Sequence, residues 1–293
     1  MIDLNRLYAP GESVDAAVYC HTAALSWWAY TPSGFTDEQM VTDVGFIDVE
    51  RVVVDAGLSL QFIRVGDDHG LEIAFAGTET LGQWIDYVIR SGFVAATGII
   101  GQVFRPFDQW SELFLAQIRP LLNATIPIVL TGHSLGGAMA VLCAEKLRVL
   151  GYNVRVVHTF GCPKIGDDAF IQGCRVQNHH YIGWADPVPA LPPRSLTSGG
   201  PFDQLGLLVP FAFRPPEDWY EQSSGRDSFN PLAFLNTYAL ISSAISLNTF
   251  QLTRHNISTY LVKFWPHLKQ FDLDQLASFS IAIKKRWGID VLQ

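Results

Sequence analysis

Charge is scarce in this sequence. Lys and Arg number 20 and Asp and Glu 28 in 293 residues, so only 16% of positions are charged and the formal net charge is −8. Binding to phosphates rests on clustered Lys and Arg, and here the basic residues are scattered, which argues against a nucleic-acid partner and against adhesion to anionic membranes. The one basic cluster, Lys284-Lys285-Arg286, suits a solvated helix end. The four cysteines, Cys20, Cys143, Cys162 and Cys174, lack metal-ligand spacing. Cys143 reads as a small buried hydrophobe, and Cys162 and Cys174 could pair only in an oxidising compartment. The opening MIDLNRLYAPGESVD lacks a basic region followed by an apolar one, so no signal peptide is expected. That predicts a chain kept in the cytoplasm, exported without such a signal, or trimmed to a mature form. Internal repeats and low-complexity tracts are missing as well.

What is abundant is apolar surface. With 48% hydrophobic residues the chain can bury a sizeable core, and its length fits one α/β domain, 1–293, carrying an insertion. The pattern predicts a helix over 13–30, strands over 46–54, 58–65 and 71–76, and a long helical region running to about Leu122. Strand 126–131, helix 135–150, strand 154–160, a helical stretch near 167–173 and strand 177–185 follow. Strands separated by helices imply right-handed crossovers, a parallel sheet in this half and helices on both faces. Residues 191–231 are dense in Pro and Gly, and 232–250 (LAFLNTYALISSAISLNTF) has no charge. Its Ser, Asn and Thr weigh against a membrane span and favour a buried or cap helix, so no transmembrane anchor is expected.

One stretch carries chemistry. Val129 to Ala140 reads VLTGHSLGGAMA, with an apolar β-branched run before Ser134 and helix formers after it. A turn this sharp forces the serine into a strained backbone conformation and brings residues two before and two after it together. Only small side chains fit there, which accounts for Gly132 and Gly136. The stretch is therefore a nucleophile elbow made of Gly132, His133, Ser134, Leu135, Gly136 and Gly137. The Leu135 N–H, at a helix N-terminus, is placed to donate to an oxyanion.

A nucleophilic serine needs a base, and the base an orienting acid, in the chain order serine, acid, histidine for this kind of fold. Asp167, Asp168, Asp186, Asp203, Asp218 and Asp227 are available as the acid. Asp186 stands out because it ends the apolar run Tyr181 to Ala185, with Pro187 blocking continuation, and catalytic groups of parallel sheets gather at strand C-terminal ends. A loop-capping aspartate is the alternative reading. Downstream histidines are His255 and His267. His255 precedes what looks like a helix start at Asn256 and is favoured as the base. His133 is read as pointing the wrong way, and His179 and His180 as strand residues.

These pieces resemble the class 3 lipases, the family of the filamentous-fungal triacylglycerol lipases. The matching blocks are Ile73 to Thr78, Gly132 to Gly137, Phe160 to Gly166, Ala185 to Pro193, and His255 with Tyr260. The resemblance implies an α/β-hydrolase fold: a mostly parallel central sheet with helices on both faces and an insertion, near 196–250, between the catalytic acid and the histidine. It implies that Ser134, Asp186 and His255 form the triad and that Thr78 supplies the second oxyanion donor. Acyl transfer to water through such a triad requires no metal or organic cofactor. Two departures concern substrate shape: Val103-Phe104-Arg105-Pro106-Phe107 stands where the family has a histidine-containing block, and the insertion is long.

The substrate expectation is an ester of an acylglycerol lipid, met at a lipid–water interface, with phospholipid A1-type or short-chain esters as alternatives in the same chemistry. Leu81, Trp84, Ile85, Val88 and Ile89 follow the spacing of an apolar helix stripe. That stripe suits a core-facing helix equally well, but it lies where the family's lid lies, so a lid near 79–105 is expected. Two readings from other classes are an acyltransferase and a non-catalytic lipid-binding scaffold.

Overall fold

The computed structural model describes residues 16–30, 48–55, 59–66, 70–78, 93–183, 186, 188–190, 202–203, 207–211, 255–257 and 260. The proposed lid stripe Leu81 to Ile89, most of the insertion, Asp218, Asp227 and His267 lie outside the described residues.

In chain order the elements are α1 (Ala16–Trp28), β1 (Asp48–Asp55), β2 (Ser59–Gly66), β3 (Leu71–Phe75), β4 (Phe93–Ala95), β5 (Gln102–Phe104), α2 (Arg105–Ile118), β6 (Ile128–His133), α3 (Leu135–Val149), β7 (Val154–Phe160), β8 (Gly166–Asp167), α4 (Asp168–Gly173), β9 (Gln177–Gly183), β10 (Phe202–Asp203) and β11 (Leu207–Phe211). The central sheet runs β1-β2-β3-β6-β7-β9-β11. From β3 onward every pairing is parallel, while β1 and β2 form an antiparallel hairpin on its edge.

Strand alternation sorts the side chains to two faces. Ile73 and Phe75 on β3, Ile128 and Leu130 on β6 and Val157 on β7 join one large apolar cluster with Leu135, Ala138 and Leu142 of α3. Their neighbours Val129 and Val156 point the other way and meet Val18 of α1. Helices α1 and α3 therefore cover opposite faces, as the alternating pattern predicts. Gly151, at φ 89°, turns the chain from α3 back into β7.

The stretch Phe93 to Phe104, expected as part of a long helical region, is instead a hairpin: β4 and β5 pair antiparallel from Phe93↔Phe104 to Ala95↔Gln102. Its turn carries Gly98 at φ 75° and Gly101 at φ 99°, a left-handed backbone that a helix does not accommodate. Helix α2 starts only at Arg105, with Pro106 in its first turn, where a missing N–H costs nothing.

The insertion also enters the sheets. Leu207–Phe211 extends the central sheet beside β9, and β10 pairs with β8 in a smaller sheet of order β10-β8-β5-β4. Pro210 is compatible with β11 because an edge strand leaves one side of its backbone unpaired.

A charge network centred on the buried Lys146 and Asp108 ties these layers together. Lys146 of α3 donates to Asp108 (2.7 Å) and Glu112 (2.6 Å) of α2, and Asp108 also accepts from the Thr97 N–H and hydroxyl. Burial alone would raise the Asp108 carboxyl, but these donors outweigh it and hold the group below its usual value. Cys143, Cys162 and Cys174 are free thiols, so the Cys162–Cys174 pairing is not made. Cys143 is fully buried in the apolar cluster, as expected. Among the described residues no helix is long and apolar enough to cross a membrane; 232–250 is not among them.

Candidate active site

Strand β6 ends at His133 and α3 begins at Leu135, so Ser134 occupies the corner between them. Its backbone sits at φ 58°, ψ −129°, and it is the one non-glycine residue at positive φ among the described residues. A side chain held in that region is strained, and the surrounding bonds maintain it. The Ser134 N–H donates to the Phe160 carbonyl (2.9 Å), and its own carbonyl accepts from Gly137 N–H (2.9 Å). The elbow glycines are small because of close approach: a Cβ on Gly132 would strike the Gly136 backbone, and one on Gly136 would come within 2.7 Å of the Ala76 carbonyl oxygen.

The Ser134 Cβ lies beside Gly77, just past the end of β3. A Cβ placed on Gly77 would come within 2.9 Å of Ser134 Cβ and 2.7 Å of the His133 carbonyl. Thr78 follows directly, half-buried. The N–H of Leu135 opens the 15-residue helix α3 at its positive end.

Asp186 and His255, 69 residues apart, are in contact: His255 Nδ1 donates to the Asp186 carboxylate at 2.8 and 2.9 Å. The carboxylate also accepts from the Tyr260 hydroxyl (2.5 Å) and from the Val188 N–H (2.9 Å). The loop-capping reading of Asp186 therefore describes one of its contacts, and the histidine another. The backbone at His255 is already helical, one position earlier than expected. All three side chains are buried. Among the described residues, Ser134 Oγ and His255 Nε2 have no hydrogen-bond partner.

The supporting contacts of four residues, Gly161, His133, Tyr30 and Tyr19, were not foreseen from the sequence. Gly161, at φ 59°, sits where a Cβ would fall 2.6 Å from Asp186 Oδ2 and 3.0 Å from the His255 ring. His133 donates from Nε2 to the His255 carbonyl (2.6 Å), its Nδ1 bonds the Tyr30 hydroxyl (2.7 Å), and its ring lies 4.6 Å from that of His255. Tyr19 donates to the Tyr260 carbonyl at 3.1 Å. Only Gly161 left a signal, a glycine directly after a β-branched strand; tyrosines on a helix and a histidine inside an elbow do not announce long-range partners. Of the alternative acids, Asp167 caps α4 and bonds the Gln102 N–H, which ties it to the β4–β5 hairpin. Among the described residues no group of three or more His, Cys, Asp or Glu side chains is placed to hold a metal ion.

Comparison with known proteins agrees with this architecture. Residues 68–196 match the Lipase (class 3) family. Over 169 residues the chain is 36% identical to a secreted mono- and diacylglycerol lipase A of Penicillium cyclopium, covering 54% of this chain and 50% of that one. The chain thus spans about half the length of the Penicillium relatives it matches. Among solved structures, a lipase from Rhizopus microsporus var. chinensis superposes with a TM-score of 0.60 at 20% identity, covering 73% of this chain and 80% of the other. The nonglycosylated LIP2 lipase of Yarrowia lipolytica gives 0.60 at 19% identity, covering 76% and 91%. These superpositions and the largely parallel sheet make the fold that of an α/β-hydrolase. Residues 68–196, with the elbow near their centre, carry the likeness to the class 3 lipases.

Proposed function

We propose that the protein hydrolyses carboxylic ester bonds of acylglycerol lipids through Ser134, His255 and Asp186. The observation that carries this reading is the 2.8 Å contact between His255 Nδ1 and Asp186, together with a serine held at φ 58° directly after His133, whose ring lies 4.6 Å from that of His255. In the proposed reaction His255 Nε2 takes the Ser134 proton as Oγ bonds to the ester carbonyl carbon, and Asp186 stabilises the imidazolium. The N–H groups of Leu135 and Thr78 receive the oxyanion. On collapse His255 returns the proton to the departing alcohol, and a water molecule then releases the acid from the acyl-enzyme by the same steps in reverse. The lack of a Ser134–His255 hydrogen bond is compatible with this order, since such bonds often tighten only with substrate bound.

The acylglycerol class is supported by the family of residues 68–196 and by a Penicillium relative whose name specifies mono- and diacylglycerols. The test is hydrolysis of p-nitrophenyl esters from acetate to palmitate, beside monoacylglycerol, diacylglycerol and phospholipid dispersions, with Ser134→Ala as the blank. Ser134→Ala is expected to lose about 10⁴-fold or more in kcat, and Ser134 to be labelled by a fluorophosphonate. Retention of a tenth of the activity in Ser134→Ala would overturn the mechanism. Preference for phospholipid would move the substrate to the phospholipase A1 type, and alkyl-ester formation outrunning hydrolysis in added glycerol would make the protein an acyltransferase. The stripe Leu81, Trp84, Ile85, Val88 and Ile89 is proposed as a lid over this site. Trp84→Ser is then expected to raise turnover of soluble esters and lower that of emulsions, with parallel losses on both defeating the lid.

A further inference from the structure

We infer that His133, inside the nucleophile elbow, is a positioning residue for His255, aligned in turn by Tyr30 at the end of α1. The inference rests on the proposed role of His255 as the base. Its grounds are the two contacts of the His133 ring. A carbonyl oxygen only accepts, so the 2.6 Å contact with the His255 carbonyl requires a proton on His133 Nε2. A neutral imidazole then has Nδ1 free to accept, and the Tyr30 hydroxyl donates to it at 2.7 Å. Tyr30 thereby selects the tautomer of His133 that can hold the backbone of His255.

The other contacts point the same way. The His255 side chain is oriented at its far end by Asp186, but that carboxylate acts only on Nδ1. The His133 bond fixes the main chain from which the ring projects, and the two rings pack 4.6 Å apart at 31°. Burial and the neighbouring His255 hold the His133 pKa well below the ordinary histidine value. The ring beside His255 thus stays neutral, and no like charge opposes the imidazolium that would form on His255. Because His133 is also the residue before Ser134, one side chain couples the position of the serine to that of the histidine.

The test compares His133→Leu, His133→Gln and Tyr30→Phe on a soluble short-chain ester, with kcat, KM and melting temperature measured for each. Gln can carry an amide N–H to about the place of Nε2, and Leu cannot. His133→Leu is expected to lower kcat about 10- to 100-fold with KM within about twofold, because a misplaced base slows the chemical step and leaves binding intact. His133→Gln is expected to recover most of that loss, and Tyr30→Phe to lose about threefold in kcat as Nδ1 loses its donor. Wild-type kcat in His133→Leu, or equal losses in the Leu and Gln variants at equal melting temperature, would overturn the inference. If His133→Leu fails to fold, unchanged kcat in Tyr30→Phe overturns it. A His255→Ala control separates the two levels: a tenth of the activity surviving there defeats the base assignment itself, whatever His133 does.

Discussion

On the α3 side of the central sheet, Ile73, Leu130 and Val157 pack with Leu135, Ala138 and Leu142 in one apolar cluster. On the α1 side the same three strands present Glu72, Thr131 and His158, all buried. There His21 meets Glu72 at 2.7 Å, Ser26 meets Thr131 at 2.8 Å, and His158 bonds the Tyr181 hydroxyl while its ring stacks 5.1 Å from His179. Both faces exclude water, but by different means. The α3 face gains from area removed from water, a contribution insensitive to pH and proportional to the methylenes buried. The α1 face gains from matched donors and acceptors, and around His158 and His179 these hold only while both rings stay neutral.

The sharpest way to break this comparison is to damage each face and ask what the damage depends on. Leu130→Ala on the α3 face is expected to cost about 2 to 5 kcal/mol, read as a lower denaturant midpoint of the same size at pH 8 and pH 5.5. Acid should act on the histidines instead. Burial holds His133, His158 and His179, all on the α1 side, below the ordinary value. A histidine depressed in the folded state stabilises fully above its unfolded value near 6.5 and loses that contribution as pH falls toward the folded value. Stability should therefore fall as pH drops below about 6.5, the unfolded value, because the unfolded chain takes up protons that these buried rings do not. His158→Phe, which keeps an aromatic ring beside Tyr181 and His179, is expected to flatten that slope in urea titrations run from pH 8 to 5. A slope unchanged by His158→Phe but removed by Leu130→Ala would reverse the assignment of the two faces. The smallest effect is expected from Thr131→Val, about 1 kcal/mol or less, because Ser26 keeps its bond to the Thr22 carbonyl at 2.9 Å when the threonine hydroxyl is gone.

The same contrast decides how far the sequence could be read. Period and composition report apolar faces, so β3, β6, β7, α3 and the corner at Ser134 were legible to within two residues. The contact between Asp186 and His255 was legible because an apolar run closed by Asp-Pro has few structural readings and few histidines follow it. The hairpin Phe93 to Phe104 was not, since a run of apolar residues and glycines carries neither period, and its turn is set by positive φ at Gly98 and Gly101. Nor was β11, whose five residues sit in a Pro- and Gly-rich setting and are held by pairing with β9. The polar network under α1 was invisible for another reason: His133 with His255, His21 with Glu72 and Tyr19 with Tyr260 join residues 51 to 241 positions apart, and no local pattern encodes a partner at that range.

That range bears on how the molecule assembles. The elbow is closed by residues four apart, Gly132 against Gly136, whereas Tyr19 reaches Tyr260 across 241 residues of chain. Contacts of short sequence separation form early, and those closing long loops must wait until their entropic cost is met. A refolding chain should therefore regain its β6–α3 core before the segment bearing His255 is locked between α1 and Asp186. Protection of the β6 and α3 amides from hydrogen exchange and recovery of ester turnover would then follow separate time courses, with turnover the later. A chain newly emerging from synthesis would likewise hold a shaped serine corner well before it could use it.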